Sequence, residues 1–381
     1  MTERPETATS PLLRRMNATV VLEALRGAEP RAAEPMTVTE LMEETGLSRP
    51  TVHTVCDELI RLGWVRAEDM PQGQVPRRGR RARRYTFNER GGYVVGMDLG
   101  ANKVTVVVSD LSGTAVEQET RQLDDSADRL DTARDVVTDS LRRAEIAEEA
   151  VLAVGLAVPG SVRHDGTVKV ADWWLPGRKA VDLRTALEER FAWPVLVEND
   201  ANLAVLGERS RGVAGDVDDV VLLLAGERLG AGVFINGRLV RGAGGAAGEM
   251  GFLSLVEHVG TAEGIGALTR KLSGLESAQA VFAAARSGDS AAGQVVQQVC
   301  ARIARAVAVL ATLLDPELVV VGGAVAEAGD VLLGPLEREV AALCDRPPRL
   351  LASALGDRAV VEGAVRFALQ HVLKRIFAAA G

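Results

Sequence analysis

Residues 194–208 read PVLVENDANLAVLGE, and the division of this stretch into elements decides the fold. Residues 195–197 form an apolar run of the length of a buried strand. After a few polar residues, Leu203, Leu206 and Gly207 recur at the spacing of one packed helix face. The junction Glu198-Asn199-Asp200-Ala201-Asn202 is therefore expected at the C-terminal end of a strand, where open α/β sheets bind ligands. Asn199 offers both a donor and an acceptor, and an ionised Asp200 accepts from two hydroxyls at once. Side by side they suit a polyol such as a sugar. Asn and Asp are also favoured helix N-caps, so the pair has a purely structural reading too.

Three other segments accompany this one in order: VVGMDLGANKVTVVVSDLSG at 94–113, GRLVRGAGGAAGEMG at 237–251 and LDPELVVVGG at 314–323. With ENDAN and the following Gly-Glu, they resemble the ROK family of sugar kinases and sugar-responsive repressors over residues 91–381. The resemblance implies an α/β body of two actin-like, ribonuclease-H-like lobes around a cleft. The first lobe is expected at 91–210, joined by a returning C-terminal helix at 364–381, and the second at 211–363. It also implies that Asn199, Asp200 and Glu249 hold sugar hydroxyls, with Gly160 at the pocket edge and Glu263 as a further pocket carboxylate. Asp98 and Gly100 match the turn that family kinases place near nucleotide phosphate and metal. In a kinase Asp200 would be the base.

The chain departs from the kinase pattern in two places. Where family kinases carry a Gly-Thr-Gly-type turn that cradles phosphate, this sequence has Gly226-Glu227-Arg228-Leu229-Gly230. A carboxylate there would repel phosphate, and bulky side chains restrict backbone approach. Phe252 stands where the family has a zinc-ligating His, and residues 253–262 contain no cysteine. His258 alone cannot supply the four ligands of a tetrahedral site. Neither a metal nor a cofactor is expected.

Elsewhere in the body, 129–149 reads as an amphipathic helix, 151–159 and 220–224 as buried strands, 301–314 as a long apolar helix and 363–378 as the last helix. The hairpin at 94–109 is expected to turn at Gly100, which permits positive φ and leaves backbone N–H groups exposed, a feature suited to phosphate, although a Gly in a hairpin turn needs no ligand. Trp173 and Trp174 could pack on a sugar face or simply in a core.

The chain has 381 residues, 25 % charged and 47 % hydrophobic, the proportions of a globular protein of two or three domains. Its three cysteines, Cys56, Cys300 and Cys344, are far apart, which argues against a disulfide framework or zinc cluster and for a reducing compartment. The N-terminus lacks the apolar core of a signal peptide, and no apolar run is long enough to predict a membrane span. A cytoplasmic protein without membrane contact is expected. Net charge is −8, yet residues 48–90 hold ten Arg against five acidic residues. A basic segment on an acidic body is the asymmetry of a nucleic-acid-binding module.

The first ninety residues read as that module. Leu13, Met16, Val20, Val21, Ala24 and Leu25 mark a helical stripe. Thr37 and Glu40 are spaced as a capping box for a short helix ending at Gly46. Ser48 caps a second helix, with Pro50 in its first turn and Val52, Val55, Leu59 and Leu62 as its buried face. Two short helices about a tight Gly turn make a helix-turn-helix. Ser48, Arg49, Thr51, His53 and Thr54 then lie where recognition helices meet base edges. A two-stranded wing follows, with Arg77, Arg78, Arg80 and Arg81 at its tip; Cys56 reads as core. This segment resembles the winged helix of ROK repressors. The expected protein is a regulator rather than an enzyme: it binds a double-stranded DNA operator as a homodimer or homotetramer and answers to a sugar or sugar phosphate. An ATP-dependent sugar kinase is the alternative.

Overall fold

The computed structural model describes residues 11–27, 34–69, 83–124, 128–169, 174, 181–251 and 263–379. In the N-terminal part, the local signals of the sequence set the elements. Helix Val38–Thr45 opens with a complete capping box: Thr37 Oγ1 accepts from the Glu40 N–H at 3.3 Å, and the Thr37 N–H donates to Glu40 Oε2 at 2.6 Å. That second bond holds the Glu40 carboxyl below its ordinary range. Gly46, at φ +69°, ends the helix in the left-handed conformation that glycine adopts without cost. Helix Arg49–Arg61 starts on Ser48, whose Oγ accepts from the Thr51 N–H at 3.4 Å. Strands Val65–Asp69 and Arg83–Phe87 pair antiparallel. The two-residue strand Met36–Thr37 joins them against Tyr85 and Arg84, a third strand too short to be read from the sequence.

The first helix, Pro11–Arg26, corrects one expectation. Its buried residues are Ala18, Val21, Leu22 and Leu25, whereas Leu13, Met16 and Val20 are exposed. Two apolar stripes overlap in this helix. The one that wins faces helices Val38–Thr45 and Arg49–Arg61 and the C-terminal helix Ala359–Ala379.

Two five-stranded sheets and a small three-stranded one (Ser161–Val162, Thr167–Lys169 and Val181–Asp182) carry the rest. In the first, hairpin Tyr93–Leu99 and Lys103–Asp110 continues into Ala115–Gln122, while Val151–Val158 and Val195–Asn199 add in parallel. Its central strands are apolar on both faces because both faces are covered. Val95 and Met97 pack with helix Arg129–Arg143, and Val94 with helix Ala359–Ala379. The second sheet runs in the order Arg238–Leu239, Leu229–Ile235, Val220–Ala225, Leu318–Gly322, Arg349–Ala352. One of its faces is covered by helices Ile265–Ser273, Ala278–Arg286, Ser290–Leu314 and Gly329–Leu343.

Some boundaries move. The helix expected at 129–149 stops at Arg143, and Glu145 turns the chain at φ +56°. The helix expected from 301 begins at Ser290, capped by Asp289, whose Oδ1 accepts from the Ala292 N–H at 2.8 Å. By length and composition alone this helix could cross a membrane; here Val299, Ile303 and Val307 lie in the core under the second sheet.

Helix Asp200–Arg211 is shared between the sheets: Leu203 and Val205 belong to one apolar cluster with Ala157 of the first and Val220 and Leu222 of the second. It also crosses the C-terminal helix in backbone contact. A Cβ on Gly363 would sit 1.7 Å from the Leu203 carbonyl oxygen, and one on Gly207 2.2 Å from that of Ala359. Further along, Leu369, Val372, Leu373 and Ile376 of the C-terminal helix pack in one cluster with Val21, Leu22 and Leu25 of the first helix. The N-terminal head and the body thus share a core.

Candidate functional site

Strands Val151–Val158 and Val195–Asn199 run in parallel with Asn199 opposite Val158, so their C-terminal ends come level. Just past the first end, Gly160 takes φ +117°, a conformation that favours glycine, and a Cβ there would meet the Lys169 carbonyl at 2.6 Å. The Gly160 carbonyl accepts from Asn199 Nδ2 at 3.1 Å, while Asn199 Oδ1 accepts from the Asn202 N–H at 3.0 Å. Asn199 is therefore both the helix N-cap and a residue at the level of the strand ends.

Asn199, Asp200, Ser161, Lys169, Arg228 and Glu249 line a chamber of about 250 Å³. Ser161 Oγ donates to Glu249 Oε1 at 3.0 Å. The Asp200 carboxyl is pushed up to about 7, first by burial and further by the charge of Glu249, against the opposing N–H of Ala201. A larger chamber of about 670 Å³ adjoins it, lined by Asp98, Lys103, Glu227, Gly323 and Asp357 among others. Asp200 and Arg228 line both. Asp98 is likewise raised to about 7, by burial and then by the charge of Asp200, with Lys103 opposing. Lys103 Nζ pairs with Asp357 at 3.0 Å across the larger chamber. The junction of the two chambers thus presents a carboxyl with an affinity for protons near neutrality, able to accept a hydroxyl's hydrogen bond or its proton.

Several expectations need correction. Gly100 lies outside the left-handed region. Its N–H donates to the Lys103 carbonyl at 3.0 Å and its own carbonyl accepts from Trp174 Nε1 at 3.2 Å, so the turn closes on itself rather than offering that amide. Trp174 is fully buried and serves as packing; Trp173 lies outside the described residues. The turn at 226–230 also gains a partner the sequence did not show: Glu227 lines the larger chamber with its carboxylate paired to Arg270. Glu263 lines neither chamber: Lys271 at 2.8 Å and Arg302 at 3.3 Å hold its carboxylate. Residues 252–262, including Phe252 and His258, are outside the described residues. That stretch has Phe at 252 and no cysteine, where the resemblance implies a His and a cysteine-rich zinc loop.

On the head, Arg49, His53 and Thr54 are exposed along the start of helix Arg49–Arg61. Arg49 donates to Thr39 Oγ1 at 3.2 Å, and the Ser48 and Thr51 hydroxyls lie 2.8 Å apart. Cys56 is core, its thiol pushed up to about 12 by burial. Arg77, Arg78, Arg80 and Arg81 lie outside the described residues.

Sequence reasoning missed the buried carboxylates. Glu198 pairs with Arg241, and Glu208 accepts from the Val213 N–H at 2.8 Å, the Leu355 N–H at 3.2 Å and Ser353 Oγ. Both stand in the quoted stretch, but Arg241 is 43 positions from Glu198 and Leu355 is 147 from Glu208, beyond any local pattern.

A winged helix-turn-helix head sharing its core with a two-lobed body of the sugar-kinase type defines a class of fused proteins. The chain belongs to the ROK family, whose model matches residues 94–371, and an IclR helix-turn-helix domain matches residues 16–69. It is 26 % identical to the xylose repressor of Caldicellulosiruptor bescii over 88 % of this chain and 92 % of that one. It is also 26 % identical to the DNA-binding transcriptional dual regulator NagC of Escherichia coli, over 78 % of this chain and 79 % of that one. With the glucokinase of Thermotoga maritima it shares 31 % identity over 62 % of this chain and 84 % of the enzyme. In fold it matches a ROK family transcriptional regulator, a homologue of the Escherichia coli Mlc protein, with a TM-score of 0.75, 22 % identity and coverage of 97 % and 100 %.

Proposed function

We propose that this protein is a sugar-responsive, DNA-binding transcriptional regulator, a cytoplasmic repressor of carbohydrate uptake or catabolic genes that a sugar or sugar phosphate releases. Its kinship with the xylose repressor and NagC supports this reading. The observation that carries it is the packing of the head. The helix that begins at Asp200 contacts the C-terminal helix through Gly207 and Gly363, and that helix shares its apolar cluster with the first helix of the head. A ligand shifts a conformational equilibrium only through its different affinity for the two states. Asn199, Asp200 and Glu249, with Gly160 at the edge, are the residues proposed to hold sugar hydroxyls. Because one winged helix reads a half-site, the operator is bound by a homodimer or homotetramer. Exposed Arg49, His53 and Thr54, with Arg77, Arg78, Arg80 and Arg81, are proposed to meet DNA.

Thermal-shift screening against pentoses, hexoses, amino sugars and their phosphates tests the sugar half of this reading. A ligand of the native state at a hundred times its Kd adds about 2.7 kcal/mol of stability. At least one compound is expected to raise the melting temperature of the wild type and to raise that of Asp200→Ala by clearly less at the same concentration. No shift with any of them contradicts the reading.

A second reading, a sugar kinase, has two observations in its favour: Asp98 and Asp200 are both raised to about 7, the range of a base working at neutral pH, and the glucokinase relative is the more identical one. The regulator reading expects no sugar-dependent ADP release, because Glu227 and Arg228 replace the family kinases' Gly-Thr-Gly-type turn. Release at ordinary enzyme rates, above ~1 per second, overturns it.

A further inference from the structure

The smaller chamber is made of two halves that the chain supplies separately. Asn199 ends a strand of the first sheet and Asp200 opens the helix that follows. Glu249 sits on the loop that leaves the edge strand Arg238–Leu239 of the second. One residue joins them, by its side chain on one half and its backbone carbonyl on the other. Arg241 Nε donates to Glu198 Oε2, and Glu198, whose side chain is only 4 % exposed, accepts on its other oxygen from the Asn199 N–H at 2.9 Å and Asn202 Nδ2 at 3.0 Å. The Arg241 carbonyl in turn accepts from the Ala247 N–H at 3.1 Å, two residues before Glu249. Its guanidinium also lies 5.9 Å from the ring centroid of Phe367 on the C-terminal helix.

We infer that Arg241 is a positioning residue of this chamber: through Glu198 it fixes the Asn199–Asp200 strand end, and through its own carbonyl it fixes the loop that carries Glu249. The energetics favour position over stability as the role of the pair. Bringing a carboxylate and a guanidinium out of water costs about as much as their attraction returns, so a buried pair adds little net stability. The network even leaves Asn202 Oδ1 buried without a hydrogen-bond partner. Hydrogen bonds of fixed geometry, however, orient the groups they join. Arg241 does not itself line the chamber; it acts through Glu198 and the loop.

The inference rests on the reading of this chamber as the sugar site, and its test separates the two. Hydrogen–deuterium exchange is measured on the full-length, ligand-free protein for wild type, Arg241→Met, Arg241→Lys and Glu198→Gln. Exchange is expected to rise roughly tenfold in the peptides covering both 195–203 and 242–250 in Arg241→Met and Glu198→Gln. Arg241→Lys, which keeps the charge, should recover part of the protection. Helix Ser290–Leu314 should exchange as in wild type in all three. Unchanged protection in either peptide, or a rise spread evenly over the chain including that helix, overturns the inference. A second arm adds D-xylose or D-glucose: added protection of the same two peptides in wild type, reduced in Arg241→Met, supports both readings. If neither sugar protects wild type while the ligand-free pattern holds, positioning by Arg241 stands and the sugar reading is what fails.

Discussion

At Asp200 and Asp98 the folded chain holds two acids with pKa values raised to about 7, chiefly by burial. In the unfolded chain such groups ionise near pH ~4. Between those limits the folded state binds protons that the unfolded state has lost, so stability falls as pH rises from about 4 to about 7, and no further above. Asp98→Asn and Asp200→Asn remove that penalty. Each variant should melt a few degrees higher than wild type at about pH 8 and close to wild type below about pH 4. Equal shifts at both pH values would show that the acids are not perturbed by folding. The same proton competes with a sugar for Asp200, so sugar affinity should weaken as pH falls below about 7. Asp200 and Asn199 were legible in the sequence because a strand end followed by a helix start places them without reference to anything distant. Glu263 was not, since its fate depended on Lys271 and Arg302, which reach it from two other turns of chain.

Among the elements, the crossing of helices Asp200–Arg211 and Ala359–Ala379 leaves no room for a side chain. Gly363→Ala would drive a methyl into a backbone carbonyl that cannot rotate away, and it should destabilise by about 1–3 kcal/mol or more. A Cβ on Gly293, within helix Ser290–Leu314, would meet nothing within 4 Å, so Gly293→Ala should instead stabilise by roughly 0.5–1 kcal/mol. Urea denaturation of the two variants checks the contrast, and similar values for both would mean that the helices do not meet backbone to backbone. Elements with local signals, such as the capping box at Thr37 and the cap at Ser48, could be read directly. The buried face of the first helix could not, because two apolar stripes compete and only the packing partners choose between them.

For the molecule as a whole, regulation by a sugar requires a head that binds DNA and a chamber that senses the ligand. Arg80→Ala with Arg81→Ala should weaken binding to specific and random duplexes alike, and flatten the log–log salt dependence by about one unit for each phosphate the head no longer neutralises. An unchanged slope would make the arginine run a linker. The two-lobed body was legible because its motifs stand in order along the chain. That head and body share a core was not, since the residues that join them, Val21 and Leu25 with Leu369 and Leu373, lie at opposite ends of the sequence. A duplex selected by the protein from a random pool, titrated as the bound complex with the sugar found by thermal shift, joins the two ends of the molecule in one measurement, wild type beside Asp200→Ala. Charge-assisted hydrogen bonds to Asp200 contribute about 1.5–3 kcal/mol each, so the midpoint of release should move to at least roughly tenfold higher sugar in the variant. Its sugar-free affinity for DNA should stay near wild type. Coincident midpoints would remove Asp200 from the chamber's chemistry and contradict the coupling of sugar to DNA through it.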